Sequence, residues 1–202
     1  MERQNDEKFT LPRLILASGS PRRAEILGFV GWEFEKRVPD VDETIQAGEN
    51  AAEYVERLAR AKALAVAEQI GNGLVLGADT TVVIGNEIDR EIMGKPVDED
   101  DARRMLRALS GNWHKVLTAI ALVKVENGEK TTKTALQETG VKFAELDETA
   151  VEWLVKEGSP LDKAGAYAVQ AQAALFIEKI EGDYWNVVGL PVSLVWKLVN
   201  GE

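Results

Sequence analysis

Two consecutive arginines, Arg22 and Arg23, stand where a helix is expected to begin, directly after the apolar run and small residues of "LILASGSPRR". The first turn of a helix carries the positive end of the macrodipole and unpaired N–H groups, so acidic residues are its favoured neighbours. Positive charge at that point suits an incoming anion. Ser18-Gly19-Ser20 add hydroxyls and a close backbone approach, and with two guanidinium groups they fit phosphate best. The plainer alternative is that both arginines are solvated and paired with Glu25.

Other charged residues interrupt apolar surroundings. Lys62 lies four residues after Leu58, on the stripe of Ala51, Val55 and Ala65 or Val66 in "NAAEYVERLARAKALAVAEQI". It either snorkels to the edge of the core or reaches into a cleft. Asp79 stands where the apolar run "VLGADTTVV" breaks, among small residues. A carboxylate at the end of a buried strand needs partners. A capping turn aspartate, a metal ligand and a general base acting on water all satisfy that need. Asp40, Asp42 and Glu43 cluster in an expected turn, as hard oxygen donors for Mg²⁺ or Mn²⁺ or as a solvated patch. Lys95, before a proline in "MGKPVDED", faces a cleft or water. His114 is the single histidine and is read as structural, since one histidine without any cysteine makes no zinc site.

The elements that must position these groups are legible from periodicity and turn residues. Strands are expected at 14–17, 34–38 and 74–88, the last interrupted at Gly77-Ala78-Asp79. Helices are expected at 21–29, 50–70, 99–109 behind Asp98, 147–157 and 191–199. Asn127-Gly128 joins two antiparallel strands in a hairpin, and "AALFIEKI" is expected to be a strand. Mixing βα units with a hairpin predicts an α/β fold, a mixed β-sheet with flanking helices. No repeat or linker divides the chain, so one domain over 1–202 is expected, with its ordered core at about 12–200.

Composition narrows the partners. The 202 residues are 45% hydrophobic and 29% charged, which is globular, and the net charge of −10 argues against a nucleic-acid polymer or an anionic membrane. The absence of cysteine and of an apolar leader in "MERQNDEKFT" makes the cytoplasm the expected location. No G-x-x-x-x-G-K-[ST] phosphate loop occurs, and "GNGLVLG" precedes a strand where a dinucleotide loop would follow one.

Taken in order over about 14–192, "LILASGSPRRAEIL", "RLARAKA", "GADTTVV", "GKPVDEDDARRMLRALSGNWHKVLTAIAL", "LDKAGAYAVQ" and "IEGDYWNVVGLPVS" strongly resemble the Maf family of nucleotide pyrophosphatases. The resemblance implies two lobes around a cleft, as in inosine triphosphate pyrophosphatases, a divalent cation (Mg²⁺, Mn²⁺ or Co²⁺) and a homodimer. The implied reaction is hydrolysis of a nucleoside triphosphate to its monophosphate and pyrophosphate. Asp79 is similar to the family's catalytic proton acceptor, and Glu43 to the acidic residue that helps hold metal, shared with Asp79. Lys62 and Lys95 resemble the phosphate-contacting lysines, and Ser18, Arg22 and Arg23 the triphosphate-binding loop. Arg22, Thr80 and Gln170 match the subgroup acting on dTTP and UTP, which implies a house-cleaning or pool-control role. The alternatives are a non-catalytic nucleotide-binding regulator of cell division and a pyrophosphatase for modified nucleotides. Two stretches depart from the family pattern: "AVQAQAALF" replaces a glycine-rich loop after Gln170, and "IGNEIDREIMGKP" is longer than the usual turn before Lys95.

Overall fold

The computed structural model describes residues 10–85 and 91–201. Among them, strands β1 (Leu14–Ala17), β2 (Phe34–Arg37), β3 (Gly73–Ile84), β4 (Glu91–Met93), β5 (Trp113–Glu126), β6 (Glu129–Phe143) and β7 (Ile177–Glu181) form one sheet. Its order is β2-β1-β3-β5-β6-β7, with β4 added to β3. β1 runs parallel to β2 and β3, whereas the β3–β5, β5–β6, β6–β7 and β3–β4 pairs are antiparallel, which makes the sheet mixed. The β5–β6 hairpin turns on Asn127 (φ 52°) and Gly128 (φ 84°), both in the left-handed region that such a turn demands.

Helices α1 (Pro21–Phe29), α2 (Ala51–Ala67), α3 (Glu99–Leu109), α4 (Glu148–Glu157), α5 (Tyr184–Val188) and α6 (Val192–Asn200) cover the two faces. Strand alternation sorts the core. Leu16, Leu76, Ala78 and Ile120 face the side with Leu27, Leu106, Leu154 and Val195, whereas Val75, Ala119, Ala121 and Val123 face Val55, Leu58, Ala59 and Ala63 of α2. Asn50 caps α2 in a reciprocal capping box with Glu53, and Asp98 and Asp147 cap α3 and α4. No helix among the described residues is long and apolar enough to cross a membrane.

Two expectations are corrected. Gly77-Ala78-Asp79 does not interrupt a strand: β3 pairs with β5 without a break from Gly73 to Val83. The small residues serve packing instead. A Cβ on Gly77 would lie 2.3 Å from the Ala59 carbonyl oxygen and 2.7 Å from the Ala63 nitrogen, so α2 rests flush on β3. The expected "AALFIEKI" strand is half 3₁₀ helix, over Gln172–Phe176, before β7 begins. Helix α5, unforeseen, is set by Asp183, whose carboxylate accepts from the Trp185 and Asn186 N–H groups. The lengthened turn before Lys95 falls partly on residues 86–90, outside the described residues.

The Gly77 contact gives a first prediction. Gly77→Ala must push α2 away from the sheet, at an overpacking cost of about 1–3 kcal/mol. A lower midpoint of chemical denaturation is expected, and an unchanged midpoint would show that the helix yields freely.

Candidate active site

β1 delivers the chain into α1 through Ser18-Gly19-Ser20, and Pro21 occupies the first helical turn, where its missing N–H costs nothing. That turn holds no acidic residue, and Ser20 makes no side-chain cap, its own N–H being taken by Ser18 Oγ at 3.2 Å. The arginines diverge. Arg23 is buried and spans three partners: Nε donates to the Gly189 carbonyl at 2.9 Å, Nη1 to Ser18 Oγ at 3.1 Å and Nη2 to Thr80 Oγ1 at 3.1 Å. Arg22 pairs not with Glu25 but with Asp162, through Nη1 to the carboxylate at 3.1 Å and Nη2 to the backbone carbonyl at 3.2 Å.

Thr80 is the hub behind Arg23. Its hydroxyl also bonds Thr118 Oγ1 at 2.9 Å, and Thr118 donates to the Asn186 carbonyl at 3.1 Å. The amide of Asn186 in turn donates to the Val116 carbonyl and Thr139 Oγ1, both at 2.9 Å. This chain of bonds ties α1 to the centre of β3 and β5 and to α5. It also occupies the Thr80 hydroxyl.

On the opposite face of β3, Asp79 points toward α2. Lys62 does not snorkel: its ammonium lies 2.6 Å from Asp79 Oδ1 and 2.6 Å from Glu43 Oε1, with Lys95 Nζ 3.7 Å from Glu43 Oε2. The Tyr54 hydroxyl donates to the Glu43 carbonyl at 3.1 Å and so fixes the loop that carries Glu43. Burial, then the charges of Asp79 and Glu43, push the Tyr54 hydroxyl up to about 12, which keeps it a donor. Burial also raises the Asp79 carboxyl above its ordinary value, more than the charges of Lys62 and Arg23 pull it down. For Glu43 burial likewise raises, but the Lys62 hydrogen bond and charge prevail and leave it below the usual range. A buried carboxylate with heightened proton affinity, beside one held ionised, separates two roles.

Ser18, Arg22, Arg23, Thr80, Glu43, Tyr54, Lys62 and Asp79 line one cavity of about 840 Å³, together with Lys95 and the exposed Gln170. Asp40 and Asp42 are not on its walls: both are exposed, and the Asp42 carboxylate accepts from the Thr44 N–H. Among the described residues the cations lining the cavity are Arg22, Arg23, Lys62, Lys95 and Lys163. Its carboxylates are Glu43, Asp79 and Asp162, so the walls carry two net positive charges in a chain of net charge −10. Asp162 and Lys163 were not singled out by spacing, because a single Asp-Lys pair in a loop carries no periodic signal. The alanines at 168, 171 and 173, where the family pattern has glycine, are accommodated. Among the described residues, positive φ outside glycine occurs only at Asn127, Ser159 and Ala166. His114 is indeed buried in the core, its Nε2 2.7 Å from the Tyr167 hydroxyl, and burial lowers its pKa to about 4.

As for metal, no group of three or more His, Cys, Asp or Glu side chains among the described residues is placed to hold an ion unaided. Glu43 and Asp79 do converge on a single point, the Lys62 ammonium. Two carboxylates fit a hard divalent ion whose remaining ligands come from water and phosphate oxygens.

The sheet, the helix start and this cation-rich cavity define an α/β protein with a polar cleft suited to an anionic ligand. The chain belongs to the Maf-like protein family, whose model matches residues 13–202. It is 51% identical over 183 residues to the dTTP/UTP pyrophosphatase of Hahella chejuensis, covering 89% of this chain and 87% of that protein. It is 48% and 49% identical, over 182 residues each, to the proteins of the same name from Anaeromyxobacter dehalogenans and Symbiobacterium thermophilum, covering 90% of both partners in each case. Among solved structures it is similar to the Staphylococcus aureus Ham1 protein (TM-score 0.46, 14% identity, 94% of this chain and 98% of that chain). A HAM1 protein from Coxiella burnetii matches at TM-score 0.41 and 18% identity, over 72% of this chain and 98% of that chain.

Proposed function

We propose that this protein hydrolyses dTTP and UTP to the nucleoside monophosphate and pyrophosphate in the cavity between α1, α2 and β3. The observation that carries the proposal is the meeting of Arg23, Lys62, Lys95 and Asp79, drawn from distant parts of the chain, on one cavity of net positive charge. Relatives near half identity over nine-tenths of the chain bear the name dTTP/UTP pyrophosphatase.

Arg22, Arg23, Lys62 and Lys95 bind the triphosphate and oppose the charge that develops on the leaving pyrophosphate. Asp79, whose carboxylate lines the cavity, accepts the proton of the water that attacks the α-phosphorus. Thr80 acts through Arg23, whose guanidinium it orients, and Gln170 presents a donor and an acceptor to the pyrimidine edge. Mg²⁺, Mn²⁺ or Co²⁺ would be held by Glu43 and Asp79, and supplies further positive charge against the phosphates when bound. The proposal extends to a cytoplasmic homodimer, supported by the family resemblance and the cysteine-free sequence.

The test is pyrophosphate release from dTTP, UTP, CTP and GTP supplied separately with Mg²⁺ or Mn²⁺. Turnover of dTTP and UTP above the others, abolished by EDTA, is the expected result. Binding of these nucleotides without release from any of them would favour the regulator, and a much faster reaction on a modified nucleotide would make dTTP a surrogate.

A further inference from the structure

The ammonium of Lys62 sits between the two carboxylates best placed to hold a divalent ion, 2.6 Å from each, and is itself nearly buried. Lys95 adds a second positive charge 3.7 Å from the other oxygen of Glu43. The pair of carboxylates is therefore already balanced by a pair of ammonium groups. Around them the cavity walls are net positive. A bare divalent cation would have to break two short ion pairs in a partly desolvated site and then join a region of its own sign. A triphosphate, with about four negative charges, reverses both terms. It offers Lys62 other oxygens within the same cavity, and it turns the local charge negative.

We infer that Lys62 is a built-in counterion that holds the place of the divalent cation in the nucleotide-free protein, so that metal and triphosphate bind as a pair. Glu43 and Asp79 do not take the ion alone. When phosphate oxygens draw the ammonium away, both carboxylates become free for it. The inference rests on the triphosphate reading above and adds to it an order of assembly.

The probe is Mn²⁺ alone, with the free ion counted by its EPR signal at equal concentrations of Mn²⁺ and nucleotide-free protein. Wild-type protein leaves the free signal at its buffer value. Lys62→Met captures Mn²⁺ with a Kd tighter by about tenfold or more, and adding Glu43→Gln to that variant abolishes the gain. For the wild type, a dTTP analogue with a methylene between its α and β phosphorus atoms brings Mn²⁺ capture beyond that of the analogue itself. Nucleotide-free wild type that captures Mn²⁺ as tightly as Lys62→Met overturns the inference. Should Lys62→Met not fold, the wild type decides alone: equal Mn²⁺ affinity with and without the analogue overturns it. Turnover of dTTP is measured in parallel. Turnover with tight nucleotide-free Mn²⁺ binding removes the counterion and leaves the enzyme, whereas no turnover removes the triphosphate reading and the counterion with it.

Discussion

Asp79→Asn lowers kcat for dTTP by about 10²–10⁴-fold, the range of a lost general base, while the protein still unfolds cooperatively at an unchanged or higher temperature. Both halves follow from one environment. The carboxyl lies on β3, 2.6 Å from the Lys62 ammonium, and burial raises its proton affinity above that of an ordinary aspartate. A group whose folded pKa is raised contributes stability below its unfolded pKa and loses it as pH rises through the folded value. At neutral pH the ionised Asp79 is therefore a burden on the fold, and a neutral amide of the same shape relieves it. An acid limb in the wild-type pH–rate profile marks protonation of this carboxylate, and the limb should vanish in the variant. A variant that keeps most of the wild-type kcat removes Asp79 from the chemistry.

Arg23→Lys is expected to cost both activity and stability. Only a planar fork can serve the Gly189 carbonyl, Ser18 and Thr80 at once, and a lysine ammonium reaches at best part of that set. The Gly189 carbonyl keeps only the longer bond from Thr80 Oγ1 at 3.4 Å, and loss of the hydrogen bond from a charged donor costs about 1.5–3 kcal/mol, read as a lower denaturation midpoint. Loss of a preorganised donor facing the phosphates lowers kcat/KM by about 10²–10³-fold. Retention of both quantities would remove Arg23 from both roles.

Much of the frame was legible because local physics wrote it. The Asp98 cap and the Asn127-Gly128 turn each satisfy backbone demands within a few residues, and each stands where spacing put it. Asp79 was misread as a strand end because glycine, alanine and aspartate all disfavour strands. The ladder to β5 and the close seat of α2 outweigh those preferences. Helix α5 has five residues and too short a period to be seen. The partners of the site residues were least legible. Asp162 meets Arg22 across 140 positions of sequence, and no local pattern encodes that distance. Lys62 looked like a snorkelling residue because its destination, Asp79, lies on another element.

The bond from Arg23 to the Gly189 carbonyl joins positions 166 apart. A chain still emerging from the ribosome has made Arg23 long before it makes Gly189. The guanidinium must wait through nearly the whole of synthesis before it acquires its final geometry. Catalytic competence and completion of the polypeptide thus coincide, and a fragment released early carries both arginines without the scaffold that aims them.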